Sequence, residues 1–398
     1  METTLIRIGE CINCNPSVKF EKGKTYPVID IDKIIVGRKF VTNKDFIAYS
    51  NQSGAKFENG DTLMARITPC LENGKIAKAQ IKGKGIGSTE LFVFRGIEGI
   101  TDNDFVYYLF KQQYIRELSA NSMTGASGRQ RADLKFIKRI KISLPILPIQ
   151  CKIASILSAY DSLIENNTKR IRLLEQMAEN LYKEWFVRFR FPGYENTEFV
   201  NGLPKGWKIE KYSSFVEVMS GGTPDTNNRL YYGGNIPFFT PKDSTDGVFV
   251  YDSVTKITKE GLQHCNSQYY PKGTLVITAR GTVGKLNLLA EPMAMNQSCF
   301  ALRSTILDAP YYLYYATNNA VNKLKKMANG GVFDAIIIKT FDYTKSIMPP
   351  IEIVKSFDER IKPIMDLIQS IQHQSSLLTR QRDLLLPRLM SGKLEVKA

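Results

Sequence analysis

The chain has 398 residues, 43% hydrophobic and 23% charged, which is an ordinary globular composition spread over two or three domains and excludes a disordered chain. Its formal charge of +15 and pI near 9.3 favour a polyanionic partner: nucleic acid first, an anionic membrane surface second, with a merely basic surface as the alternative. No apolar run approaches the roughly 20 residues of a transmembrane helix, METTLIRIGECINCNPS holds no signal-peptide stretch, and the six scattered cysteines fit a reduced, cytoplasmic protein.

In chain order, residues 1–146 read as a β-rich domain. NGDTLMARITPCLENGKIA (Asn59 to Ala77) has the form strand, Gly-containing basic turn, strand, and STELFVFRG (Ser88 to Gly96) adds another strand. Cys11 and Cys14 form a lone C-x-x-C; zinc would need more ligands, and His264 and His373 are far away, so both read as small side chains at a half-buried strand end. A short helix is expected near DFVYYLFKQQYIREL. One long helix then runs from Leu144 to Trp185, and residues 147–190 read as a helical spacer.

Residues 191–350 repeat the plan, with KGTLVITARGTVGKLNLLA (Lys272 to Ala290), NQSCFALRS (Asn296 to Ser304) and a helix near APYYLYYATNNAVNKL. Residues 351–398 carry a second long helix. The copies align without gaps at an offset of 204 residues: Tyr107-Tyr108-Leu109 with Tyr311-Tyr312-Leu313, Met123 with Met327, Pro145 with Pro349, Leu174 with Leu378, Leu181 with Leu385. Such a register indicates duplication, or two halves under one structural demand.

The first helix shows a stripe of Ile153, Ile156, Tyr160, Leu163, Asn167, Ile171, Leu174, Met177, Leu181 and Trp185. The second offers Phe357, Ile361, Ile364, Leu367, Ile371, Leu378, Leu385 and Leu389. Steps of three and four make narrow seams suited to pairing the two helices with each other; two helices packed separately, each on its own domain, is the alternative. Asn167 either fixes the register of the seam or faces water at its edge, and Pro363 should kink or delay the second helix. A helix of roughly 38 residues spans about 57 Å at 1.5 Å per residue, close to about 17 base pairs of DNA at 3.4 Å each.

Three segments carry a family resemblance. DSLIENNTKRIRLLEQMAENLYKEWFVRFRFPG (Asp161 to Gly193) resembles the central conserved region of specificity subunits from type I restriction-modification systems. LPKGWKIEKYSSFVEVMSGGTPDTNNRLYYGGNIPFFTPKD (Leu203 to Asp243) is similar to the opening of a target-recognition domain there, and RDLLLPRLMSGKLEV (Arg382 to Val396) resembles the C-terminal conserved region. The resemblance covers nearly the whole chain, more weakly at its start. The family's Pro-x-Glu-Gln-like helix start is replaced by Pro148-Ile149-Gln150 and Glu352-Ile353-Val354.

The resemblance implies an α+β fold: two mixed, β-rich target-recognition domains joined by two long helices in an antiparallel coiled coil, as a pseudo-twofold repeat. It implies a non-catalytic subunit whose two domains each read one half of a split double-stranded DNA target, while the helices set the spacer. Two adenine-methyltransferase subunits and the ATP-driven restriction subunits would be its partners. S-adenosylmethionine, ATP and Mg²⁺ would sit on those partners, and this chain would bind no cofactor.

The residues agree with a chain lacking chemistry of its own. An amino-methyltransferase needs an Asn/Asp-Pro-Pro-aromatic motif, which neither the NPS at Asn15 nor the MPP at Met348 supplies. RGTVGKL (Arg280 to Leu286) and GKGIGST (Gly83 to Thr89) both miss the G-x-x-x-x-G-K-[ST] spacing of a phosphate loop. Two readings stay open beside the specificity subunit: the recognition portion of a fused methyltransferase–nuclease, and an RNA-binding scaffold.

DNA contacts are expected where Gly-containing turns bring the backbone close and a basic or amide side chain meets phosphate or base. In the first half these are Arg66, Lys75 and the loop SGRQR with Arg129, Gln130 and Arg131. In the second they are Lys242, Arg280, Lys285, Asn296 and Gln297. SGGTPDT (Ser220 to Thr226) reads as an architectural turn, and Tyr231, Tyr232, Phe238 and Phe239 as core.

Overall fold

The structure is a computed structural model that describes residues 3–125, 129–327 and 336–396; Ser127 and Gly128 of the SGRQR loop lie outside the described residues. The longer helices include α1 (Asn103–Lys111), α2 (Leu147–Phe186), α3 (Pro310–Met327) and α4 (Ile351–Met390). The chain divides into two compact units, residues 1–168 with 373–398, and residues 169–372. Each unit therefore contains one β-rich region and one end of each long helix.

In unit 1, strand Thr3–Arg7 pairs antiparallel with Lys141–Pro145, directly ahead of α2. The main sheet has five strands in the order Ile12–Cys14, Leu91–Gly96, Thr62–Ala65, Ile76–Ala79, Phe40–Val41. Its first three junctions are antiparallel and the last is parallel. A second sheet has four strands, Asp45–Ala48, Thr25–Ile29, Lys84–Gly87 and Ala55–Glu58. Asp102 caps α1, accepting from the amides of Asp104 and Phe105. All six residues from Phe105 to Phe110 are buried, and the Phe110 ring stacks on Phe94 at 3.8 Å. One core joins these aromatics to Ile153, Ala154 and Leu157 of α2 and to Leu386, Leu389 and Met390 of α4.

Unit 2 repeats the main sheet in order and in direction. Its strands are Val216–Ser220, Cys299–Ser304, Leu275–Thr278, Leu286–Leu289 and Phe249–Val250. Three antiparallel junctions are again followed by one parallel junction. The closing pair, Lys208–Lys211 with Lys345–Met348, keeps the register of its counterpart: Leu5 faces Ser143, and Ile209 faces Ile347, both residues 204 further on. The second sheet does not repeat. Here it has three strands, Lys256–Ile257, Tyr232–Phe239 and Ala294–Met295.

Within each unit the two long-helix segments run antiparallel. In unit 1 Asp161 meets Arg382 and Asn167 meets Gln374, so rising numbers on α2 meet falling numbers on α4. In unit 2 the rings of Trp185 and Phe186 pack on Phe357 at 5.6 and 5.0 Å, while Glu175 and Gln372 converge at Gly247.

The buried stripe differs from the one the sequence pattern gives. Leu163 (51% exposed), Met177 (57%) and Leu367 (41%) face water. The stripe instead passes through Asp161, Ala178 and Arg382, none of which is in the expected seams. Asn167 is buried, and its Nδ2 donates to Gln374 Oε1 at 3.0 Å. Nor does Pro363 delay α4, which begins at Ile351 and runs past it. Pro363 and Glu359, whose carbonyl loses its partner there, are both exposed, so water can satisfy that carbonyl.

One asymmetry cuts across the repeat. Asp161 and Arg382 form an ion pair with both side chains only 2% exposed. Tyr108 OH donates to Asp161 Oδ2 at 2.5 Å, and Arg382 Nε donates to Asp383 Oδ1 at 2.9 Å. The positions 204 residues away are Met365 and Ala178, both fully buried in the apolar core of unit 2. The same point of the repeat is ionic in one unit and apolar in the other.

Candidate nucleic-acid interface

In each unit the loops at one end of the main sheet are laced together by backbone hydrogen bonds. In unit 1, Arg66 N donates to Glu90 O at 2.9 Å, Ala132 N to Arg66 O at 2.8 Å, and Thr68 N to Gln130 O at 3.0 Å. In unit 2, Ala279 N donates to Ser298 O at 2.8 Å, Ile336 N to Ala279 O at 3.0 Å, and Asn296 N to Phe239 O at 3.0 Å. Ala132 and Ile336 are 204 residues apart, so this is one edge built twice.

The edge gathers most of the residues expected from sequence. Arg66, Gln130 and Arg131 lie on the unit 1 loops, with Arg129 beside them. Lys242, Arg280, Asn296 and Gln297 lie on the unit 2 loops, where Gly281 comes close to the Pro241 ring. Their electrostatic states differ. Arg129, Lys242 and Arg280 are exposed and make no hydrogen bond or ion pair among the described residues. Arg131 is forked onto Glu90, with Nη2 to Oε1 at 2.6 Å, and that hydrogen bond holds the Glu90 carboxyl below its ordinary range. Arg66 lays its guanidinium 4.9 Å from the Phe92 ring centroid. Lys75 turns away, donating to Ile31 O at 2.9 Å, and Lys285 pairs with Asp246 at 2.7 Å. Asn296 Oδ1 accepts from Ser298 N at 3.1 Å, and Gln297 accepts from the Thr223 hydroxyl.

The turn at Ser220 to Thr226 is shaped by close backbone packing. A Cβ on Gly221 would lie 2.1 Å from Asn296 O, and one on Gly222 would lie 2.5 Å from Asn266 N. Phe238 and Phe239 are buried, Tyr232 OH donates to Pro224 O at 2.9 Å, and Tyr231 stacks on His264.

Sequence reasoning missed two organisers of this architecture. Asn287 is fully buried and makes five hydrogen bonds to Ser244, Thr245 and Gly247, which fixes the loop carrying Asp246. Its signal was one amide inside the apolar run KLNLLA. Gln150, also fully buried, accepts from Asp102 N at 3.0 Å and donates to Ile100 O at 2.9 Å and Pro145 O at 2.8 Å. It ties the cap of α1 to the strand that leads into α2.

No group of three or more His, Cys, Asp and Glu suited to a metal ion occurs among the described residues. Burial pushes the thiols of Cys11 and Cys14 up to about 11, so both stay protonated at neutral pH. Among the described residues no helix is long and apolar enough to cross a membrane.

A duplicated sheet with a duplicated loop edge is what a two-domain recognition protein requires, and sequence comparison decides which kind. The family described as type I restriction modification DNA specificity domain matches residues 5–176 and again 204–379. The chain belongs to that specificity family. A Methanocaldococcus jannaschii protein named Type I restriction enzyme MjaIX specificity subunit is 26% identical over 336 residues, 81% of this chain and 77% of that protein. The Haemophilus influenzae Type I restriction enzyme HindI specificity subunit is 23% identical over 93% of this chain and 99% of its own length. The fold of this specificity-family chain is that of the crystallised type I restriction-modification S subunit from M. genitalium, at TM-score 0.55 and 15% identity over 98% of this chain and 96% of that one.

Proposed function

We propose that the chain is the non-catalytic subunit that gives a type I restriction-modification complex its DNA specificity, each unit reading one half of a bipartite duplex target. The observation that carries this reading is the loop edge, repeated with two corresponding backbone hydrogen bonds and two different sets of side chains. A common scaffold with divergent reading residues, Arg66, Arg129 and Gln130 in one copy and Lys242, Arg280, Asn296 and Gln297 in the other, suits two unlike half-sites. Arg is matched to guanine, and Asn or Gln to adenine, by bidentate geometry. The net charge of +15 supplies the non-specific attraction to the phosphate backbone.

In this reading the long helices set the spacer and dock two adenine-methyltransferase subunits, and restriction subunits complete the complex in the cytoplasm. S-adenosylmethionine, ATP and Mg²⁺ belong to those partners. Expression with the methyltransferase subunit, followed by methylome sequencing, tests it. Replacing residues 1–146 with a relative's first half should change one half-site and leave the other. Two unchanged half-sites, or two changed ones, would refute modular reading. Lengthening both helices by one turn, about 5.4 Å, after Asn167 and after Gln372 should lengthen the spacer by one or two base pairs at about 3.4 Å each and leave both half-sites intact.

A further inference from the structure

We propose that unit 1 holds a binding site for a phosphate monoester of nucleotide size, in the cavity between the C-terminal end of α1, the turn at Gly74 and the last turns of α4. The cavity is about 450 Å³, within the range of small-molecule sites. Three cations line it, Lys111, Arg116 and Arg382, against one carboxylate, Asp383. Arg382 is already neutralised by Asp161 and Asp383. Lys111 and Arg116 form no ion pair among the described residues.

Lys111 Nζ is shielded from solvent, has no hydrogen-bond partner and lies 5.5 Å from the centroid of the Tyr107 ring. Arg116 Nε is likewise buried without a partner, and Arg116 Nη1 reaches only Glu72 O, at a long 3.5 Å. Buried donors are normally satisfied, and charged ones most strictly. Two such donors just behind the wall of one cavity would be satisfied by an anion that draws them to its surface. The wall itself is built for Arg116. Gly74 has φ +74°, and a Cβ there would lie 2.4 Å from Arg116 Nη1, so the missing side chain makes room for the guanidinium. Burial lowers the Lys111 ammonium to about 8, against the pull of the Asp161 and Asp383 carboxylates.

Two cations without an ion-pair partner fit the dianion of a phosphate monoester better than the single charge of a DNA diester. The cavity exceeds a phosphate, and its remaining lining includes the rings of Tyr107 and Tyr114 with Ile76 and Leu386, an aromatic and apolar face for a planar group such as a base. Tyr114 is 56% exposed and marks the mouth.

Titration calorimetry on the full chain at pH 8 tests this, with AMP, inorganic phosphate and adenosine as probes. AMP and phosphate should bind and adenosine should not. Lys111→Met and Arg116→Gln should each weaken AMP by at least about tenfold, while Lys111→Arg, which keeps the charge, should retain it. AMP binding should draw a proton onto Lys111, seen as an enthalpy that depends on the buffer's ionisation heat; Lys111→Met should abolish that dependence. Duplex DNA affinity should not change in Lys111→Met. Absence of AMP binding at millimolar concentration, equal AMP affinity in wild type and both uncharged variants, or loss of duplex affinity in Lys111→Met without AMP binding to the wild type would each overturn the proposal. The last result would assign the cavity to a DNA phosphate.

Discussion

Breaking the Asp161–Arg382 pair should destabilise unit 1 more than almost any other single change. Both side chains are 2% exposed, and their hydrogen bonds go to Tyr108 and Asp383. Asp161→Ala leaves a buried guanidinium with only the half-exposed Asp383 beside it; Arg382→Met leaves a buried carboxylate with one tyrosine donor. Removing one partner of a buried pair costs about 3–5 kcal/mol, because the surviving charge is uncompensated. At about 2–4 °C per kcal/mol for a unit of this size, the transition reporting unit 1 should fall by on the order of 10 °C.

The repeat supplies the control. The double variant Asp161→Met, Arg382→Ala copies the residues found 204 positions away in unit 2. Replacing a buried pair by apolar groups is commonly neutral or stabilising by about 1–4 kcal/mol, so the double variant should recover most of the loss, less a cavity cost of about 24 cal/mol per Å³ left unfilled. Thermal denaturation of the three variants, followed by circular dichroism, measures the coupling. Single-variant shifts below about 2 °C, or a double variant whose loss is the sum of the singles, would refute the reasoning.

Gln150→Ala should cost about 2–3 kcal/mol, since it strips partners from Asp102 N, Ile100 O and Pro145 O together; chemical denaturation would measure it, and a loss under about 1 kcal/mol would deny the tie its role. In unit 2, burial raises the Asp358 carboxyl to about 7 against the pull of the Tyr312 and Tyr311 amides. Its folded-state pKa thus lies above its unfolded one, so its stabilisation is complete below the ordinary carboxylate range and is lost as pH rises through about 7. Wild type should lose a few kcal/mol on that account between about pH 4 and 8, and Asp358→Asn, which still accepts from Tyr312 N, should flatten the profile; an unchanged profile would exclude Asp358 as its source. At the loop edge, Arg280→Ala and Lys242→Ala should weaken duplex binding, each reducing the salt slope by about 0.9 where it meets a phosphate, or costing about 1–3 kcal/mol at one base pair where it reads a base. Glu90→Gln should release Arg131 and raise non-specific affinity, measured by fluorescence anisotropy against random duplex; unchanged affinity would place Arg131 away from DNA.

The sequence alone determined the duplication, the two long helices, the strand–turn–strand units at Asn59 to Ala77 and Lys272 to Ala290, and the family. These are local or repetitive signals. A periodic stripe reports a helix whatever it packs against, and a constant offset of 204 reports a repeat whatever its fold. The tertiary structure decided which side of each helix is buried, and it moved the stripe away from Leu163, Met177 and Leu367. In unit 1 the buried stripe includes Asp161 and Arg382, 221 residues apart, each of which reads by itself as a solvated charge. The same holds for the candidate interface. Arg131 and Arg280 are alike as letters, yet one is held by Glu90 and the other is exposed and unengaged. Whether a charge is buried, paired or free depends on what a distant segment places beside it, and desolvation and Coulomb terms belong to that neighbourhood rather than to the residue.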